Sequence, residues 1–313
     1  MAFTAFRDMK PFQQLMFSIF VVIVCFIAFM VLSLAIAIPL FGFNSMLNMT
    51  DLSQLNDPET LMILKFFQVV QAIGVFIIPP LVLGYLFCGN ILDYLHLNRS
   101  FTFTSLFLVI VIMFFASPFI NFTGELNANM HLPEWMSGIE EWMRDSEDKA
   151  AQLTEAFLKV DTIWGLSFNI FMIAVLPAIG EELLFRGVIQ RIFTRMTRSN
   201  HWGVWISAIL FSALHMQFYG FIPRMLLGVL FGYLLVWSGS MWLPIAAHFI
   251  NNGFAVVAMF MIDKGMMNPK VENFGAETDT YVYTVLSLFF VGVFLWLYRK
   301  QNIGNFLTAE NLN

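Results

Sequence analysis

No acidic or basic residue occurs between Lys10 and Asp51, and within that stretch an apolar run extends from Phe12 to Phe43. Such a run exceeds the roughly 7–15 apolar residues of a signal peptide's central segment, and no small-residue cleavage site ends it. The sequence therefore predicts a first membrane anchor that stays in place. A span needs about 20 mainly apolar residues, and by that measure eight transmembrane helices are predicted, at roughly 14–42, 61–88, 103–121, 163–190, 202–219, 221–238, 241–262 and 281–299. Hydrophobic residues make up 59% of the 313 and charged residues 12%, against roughly 45–50% and about 25% in soluble proteins. A water-soluble fold has no means of covering that much apolar surface. The predicted fold class is an all-α, polytopic membrane helix bundle.

With the N-terminus inside, eight lysines and arginines fall on inner loops, including the cluster Arg191, Arg195 and Arg198, and five fall near the outer ends of spans. That bias predicts cytoplasmic N- and C-termini. Pro79-Pro80 predicts a kink in the second span, because proline removes a backbone donor and crowds the preceding turn. Cys25 and Cys88 are too few and too isolated for a disulfide framework or a thiolate metal site, and they read as packing residues. The net charge of −5 argues against nucleic acid as a partner.

Four regions follow: 1–121 with the first three spans, 122–162 outside the membrane, 163–262 as a helical core that carries buried polar residues, and 263–313 with the last loop, final span and cytoplasmic tail. The extramembrane segment is acidic. Its Trp135, Ile139, Trp142 and Met143 recur three or four apart, as on one helix face. A helix at the membrane surface with its tryptophans at headgroup level fits that pattern, and a solvated connector is the other reading.

Ionisable side chains within spans are costly and usually face the bundle interior. Three spans of the core contain them in a pattern. The fourth ends in Gly180-Glu181-Glu182-Leu-Leu-Phe-Arg186. On a helix Glu182 and Arg186 are neighbours, whereas Glu181 points about 100° away. One carboxylate is then held by the arginine and the other is free to act as a general base; a charged helix end emerging into the cytoplasm is the plainer alternative. In the fifth span His215 follows Phe211 by one turn, about 20 Å from Trp202 along the helix. It reads either as a packing histidine or as a site residue walled by Phe211. In the seventh, His248 and Asn252 share a face, with Asn251 as a second candidate amide. They offer donors to an oxygen that gains negative charge, or serve as polar glue between helices. Together, a carboxylate, two imidazoles and an amide converging in a dry cavity point to hydrolysis, with peptide bonds of membrane-borne substrates as the natural target.

The ordered set E-E-x-x-x-R (Glu181, Glu182, Arg186), F-x-x-x-H (Phe211, His215) and H-x-x-x-N (His248, Asn252) resembles the three signature motifs of the CAAX prenyl endopeptidase and bacteriocin-processing family, known as CPBP or Abi. The resemblance covers about residues 165–256, with no position departing from the pattern. It implies an eight-helix intramembrane endopeptidase whose site opens to the cytoplasmic side. Glu181 and His215 would position and activate water, His248 and Asn252 would form the oxyanion hole, and Glu182 with Arg186 would brace the site. The family's metalloprotease label implies a divalent metal such as zinc on Glu181, His215 and His248 as one version. Action of the same three residues without an ion is the other, and the sequence lacks H-E-x-x-H, the usual helical zinc pair. The implied partners are the lipid bilayer and a membrane-anchored protein or peptide substrate.

Family members include enzymes that trim prenylated C-terminal tails, others that act on different membrane peptides, and immunity or scaffold proteins. Short inner loops and the lack of a targeting signal predict a bacterial plasma membrane, where a prenylated tail is not the expected substrate. A non-catalytic scaffold or bacteriocin-immunity protein is the first competing reading. A transporter or proton relay is the second, and the absence of an internal repeat speaks against it.

Overall fold

The computed structural model describes residues 6–48, 55, 57–277 and 280–307. The outermost residues of the two expected cytoplasmic ends, 1–5 and 308–313, lie outside the described residues. All regular structure among the described residues is helical. The principal helices are α1 (Pro11–Phe41), α2 (Pro58–Cys88), α3 (Phe103–Ala128), α4 (Ser137–Leu158), α5 (Ile163–Thr197), α6 (Asn200–Ala213), α7 (Phe221–Ser238), α8 (Trp242–Asp263) and α9 (Tyr281–Gln301).

Seven of them, all but α4 and α6, are long and apolar enough to cross a membrane. Their outward faces carry large apolar side chains: Phe103 is 84% exposed and Phe114 74%. Such contiguous apolar surface is untenable in water and natural against lipid. The expected span at 202–219 differs from the others. Its α6 has 14 residues, about 21 Å of helix at 1.5 Å per residue, and it is completed by irregular backbone and a 3₁₀ turn, Phe218–Gly220. The traverse ends early because Met216 adopts left-handed backbone, with φ 55°, which no α-helix continues through.

Contacts at the two ends show that α6 nonetheless runs from one side of the bundle to the other. At one end both terminal regions of the chain meet the α5–α6 connection and the end of α7: Arg195 donates to Gln14 Oε1 at 2.8 Å, Asn200 Nδ2 to the Leu307 carbonyl at 2.6 Å, and Leu307 N to Val236 O at 2.9 Å. At the other end Asn127 Nδ2 donates to the Phe218 carbonyl, Lys65 Nζ to the Phe157 carbonyl, and Lys264 Nζ pairs with Asp161 at 2.7 Å. Both ends of the described chain therefore lie on one side, with α4 on the opposite side.

The polar segment 122–162 folds in large part as α4, which docks on the turn between α6 and α7. Trp142 packs on Phe218 with ring centroids 5.2 Å apart, the Arg144 guanidinium lies 4.5 Å over the Tyr219 ring, and Tyr219 N donates to Glu147 Oε2 at 3.2 Å. Of the face anticipated from spacing, Trp135 stays 82% exposed. The start of α4 is fixed by Glu140, which accepts from Leu132 N and Arg144 and contacts His131.

Among the described residues one buried cluster joins α1, α2, α5 and Phe211 with Leu235 of α7 and Ile245 of α8, a second joins α3, α7, α8 and α9, and a small third joins Ala37 of α1, Met46 and Ile63 of α2.

Two measurements test this architecture. Cysteines placed at Lys10 and Lys300 are expected to react with an impermeant thiol reagent from the same side of sealed vesicles, and one at Ser146 from the opposite side; labelling of the first two from different sides contradicts the topology. Hydrogen bonds from Arg144, His131 and Leu132 N pull the Glu140 carboxyl down to about 2. A carboxylate lowered in the fold contributes stability that is complete above its ordinary pKa and is lost as pH falls from there toward 2. Proteolysis of the segment from Leu132 through α4 should thus accelerate between about pH 4.5 and 2, and Glu140→Gln should show fast cleavage at every pH.

Candidate active site

The candidate residues lie on α5, α6 and α8, and each helix is locally fixed. In α5 the segment Leu176–Glu182 is α-helical between two π-helical stretches, Ile170–Val175 and Leu183–Gln190. Such insertions rotate the chain and concentrate at functional sites. Immediately before the two glutamates a Cβ on Gly180 would stand 2.7 Å from the Cβ of Phe76, so only glycine lets α5 press this closely on α2. The N-terminal end of α8 is pinned to the 96–99 loop: Met241 N donates to the His96 carbonyl, Ser240 Oγ to the Arg99 carbonyl and Trp242 Nε1 to the Leu97 carbonyl. That anchorage sets the depth of His248, less than two turns into the helix.

The centre of the site is Glu182. Its side chain is fully buried, and Oε1 accepts from Arg186 Nη1 at 2.8 Å and from His248 Nδ1 at 2.8 Å. The spacing anticipated the first bond; the second joins residues 66 positions apart. Arg186 also donates to the Gly228 carbonyl at 3.2 Å and lies 4.7 Å over the Phe211 ring and 5.4 Å over the Phe231 ring. A guanidinium needs such π faces and carbonyls when no water reaches it. Phe231 stacks on His248, centroids 5.4 Å apart.

Glu181 is held by none of these groups. It forms no hydrogen bond among the described residues, and Oε2 stands 3.8 Å from His248 Nε2. That gap is too long for a hydrogen bond and short enough for both groups to touch one oxygen atom placed between them.

His215 departs from the expectation of a buried position. It is exposed, at the break that ends α6. Its Nδ1 donates to the Phe211 carbonyl at 2.7 Å, occupying one of the acceptors that every helix C-terminus leaves open. The other nitrogen, Nε2, keeps its lone pair. The Phe211 ring contacts both imidazoles, 4.9 Å from His215 and 6.2 Å from His248 by centroid, so it walls the site as anticipated. Glu181 and His215 make no direct contact. The exposed member of the set lies toward the α4 end of the bundle.

Asn252 projects from the His248 face, and its Nδ2 donates to the Ile173 carbonyl of a π-helical stretch at 3.1 Å, while Oδ1 accepts from Asn251 at 3.2 Å. One amide proton is thereby spent on tying α8 to α5. Zinc would need three donors at about 2 Å from one point. His248 Nε2 and Glu181 supply two donors, His215 makes no contact with either, and among the described residues no group of three His, Cys, Asp or Glu side chains could hold a metal ion. The arrangement does not fit the ion.

The sequence reading passed over the Gly228-x-x-x-Gly232 pair, a pattern that lets membrane helices approach closely. A Cβ on Gly228 would lie 3.0 Å from that of Ala208 and 3.4 Å from Arg186 Nη2. The glycine both brings α6 to α7 and exposes the carbonyl that Arg186 uses.

Residues 163–254 match the family model described as Type II CAAX prenyl endopeptidase Rce1-like. Among curated proteins, YpbD of Bacillus subtilis, described as uncharacterized, is 34% identical over 86 residues, covering 26% of this chain and 41% of that protein. YyaK of the same organism, also described as uncharacterized, is 24% identical over 153 residues, covering 44% and 50%. The membrane-embedded CAAX protease MroQ of Staphylococcus aureus is 27% identical over 122 residues, covering 37% and 47%. The chain thus spans half or less of the length of each of these relatives. No solved structure matches it.

Removing one member of a buried ion pair typically costs about 3–5 kcal/mol, whereas replacing both by apolar residues is often neutral. Glu182→Leu is therefore expected to lower the thermal unfolding temperature strongly in detergent, and Glu182→Leu with Arg186→Met to recover much of the loss. Additive losses in the double variant would contradict the pairing.

Proposed function

We propose, from the premise that residues 163–254 carry an Rce1-like domain of the CAAX prenyl endopeptidase and bacteriocin-processing family, that the protein is an intramembrane endopeptidase of a bacterial plasma membrane. It hydrolyses peptide bonds of membrane-anchored proteins or peptides. The observation that carries this reading is the inequality of the two adjacent carboxylates: Glu182 Oε1 is bonded to both Arg186 and His248, whereas Glu181 makes no hydrogen bond among the described residues and only faces His248 Nε2 at 3.8 Å.

In this reading a water between Glu181 and the scissile carbonyl loses a proton to the Glu181 carboxylate as its oxygen attacks the carbonyl carbon. The resemblance gives His215 a part in positioning that water, and its Nε2 is open for it at the exposed edge of the site. The carbonyl oxygen becomes an oxyanion and receives the Nε2–H of a protonated His248, whose Nδ1–H stays on Glu182, together with the remaining amide proton of Asn252. Collapse of the tetrahedral intermediate breaks the C–N bond, and the proton held by Glu181 passes to the leaving amine. Two carboxylates, the Arg186 guanidinium and the His248 imidazolium sum to zero charge, the condition under which such a group is tolerable within a membrane. No step requires an ion.

The competing reading, a scaffold or immunity protein, draws on Asn252, which already ties α8 to α5 as polar glue would. Cleavage of a panel of membrane-anchored peptides by detergent-purified protein separates the two. Wild type is expected to cut, and Glu181→Gln to keep the wild-type unfolding temperature while losing at least about a hundredfold in rate, the lower range for a general base. Equal activity of both proteins removes Glu181 from the mechanism. Active protein is further expected to carry less than one equivalent of zinc and to survive chelators; loss of activity restored by added zinc would overturn the ion-free scheme.

A further inference from the structure

Arg224 is a charge that the scheme above does not use, in a position that helix stability does not favour. It is the fourth residue of α7, and a cation in the first turn opposes the positive end of the helix dipole. It does not extend to solvent as end-of-span arginines commonly do. Arg224 is half-buried and turned back on the α6–α7 connection, Nη2 donating to Gln217 Oε1 at 2.6 Å and Nη1 to the Gln217 carbonyl at 3.3 Å. Both acceptors are neutral, and no carboxylate comes within 4 Å of it among the described residues.

Its place in the site is defined on two sides. Gln217 follows His215 by two residues, and Gly228, one turn along α7 from Arg224, gives its carbonyl to Arg186. The guanidinium thus sits on the connection that follows His215, and its helix supplies, one turn on, the carbonyl that binds Arg186. Glu147 of α4 accepts from Tyr219 N, and neither it nor Glu181 closes an ion pair with Arg224 among the described residues. A guanidinium held by neutral groups beside a hydrolytic site offers free N–H groups to a carboxylate in a planar, two-point geometry.

We propose that Arg224 is a specificity-determining residue that binds a carboxylate of the substrate, at the C-terminus or on an acidic side chain, and so sets which bond lies over Glu181. The proposal rests on the protease reading, and the test separates the two. Acylated peptides of one sequence are made in three forms: free C-terminus, C-terminal amide, and amide with one glutamate near the end. Wild type is expected to cut the first or third with a KM at least about tenfold below that of the plain amide, roughly the worth of one charge-assisted hydrogen bond. Arg224→Gln should raise KM for the acidic peptide to the level of the amide with little change in kcat, and Arg224→Lys should restore part of the preference. Which acidic form is favoured identifies the source of the carboxylate.

A purely structural role, in which Arg224 holds the turn that carries His215, would lower kcat equally for all three peptides, and that result overturns the proposal. So does equal KM for all three with wild type. If wild type cuts none, the protease reading fails, and binding of the same peptides to wild type and Arg224→Gln decides. Carboxylate-dependent binding lost in the variant upholds the assignment; equal binding of acid and amide overturns it.

Discussion

A fully buried carboxylate shared by a guanidinium and an imidazole is the interaction on which the rest of this structure depends. Glu182 in isolation would be prohibitive among lipid-facing helices, and so would Arg186. Each is tolerable because the other is 2.8 Å away and because His248 supplies a second donor. The need to keep that group intact dictates its surroundings. Gly228 leaves a carbonyl open for Arg186, Phe211 and Phe231 give it π faces, and the 96–99 loop fixes the depth of α8 so that His248 meets Glu182. The site is then a consequence of satisfying one buried pair, with Glu181 left over as the carboxylate that no hydrogen bond holds, 3.8 Å from His248 Nε2.

Helix identity and the polar stripes were legible in the sequence because they rest on short-range rules. Apolar runs of span length became helices, and the four-residue interval from Glu182 to Arg186 became an ion pair. The four-residue interval from Phe211 to His215 put ring and imidazole in contact. What pattern could not supply was the bond between Glu182 and His248, which joins α5 to α8 and depends on how loops set helix depth. Nor did a 3.6-residue period foresee the π-helical stretches flanking Glu181 and Glu182, where side-chain directions shift from those of a regular helix.

The departure of His215 has a physical reason of the same kind. The helix ends at Ala213, left-handed backbone at Met216 keeps it from resuming, and the His215 imidazole in the intervening turn takes the Phe211 carbonyl. The turn that follows lies under α4, whose Trp142, Arg144 and Glu147 grip Phe218 and Tyr219. A segment that reads in sequence as a surface helix or a connector is in the fold a brace on the exposed edge of the site. The Gly228 and Gly232 pair was readable and carried the close approach of α6 to α7, a reminder that in membranes small residues mark contacts as surely as charged ones.

The division of labour between the two adjacent glutamates is tested most directly by a structure of the protein with a membrane-anchored peptide in which a phosphinic group replaces the scissile amide. One phosphinyl oxygen is expected within hydrogen-bond distance of His248 Nε2 and the other against Glu181, with Glu182 still joined to Arg186 and His248 Nδ1. A phosphinyl group seated on Glu182, with Glu181 turned away from it, would contradict the assignment.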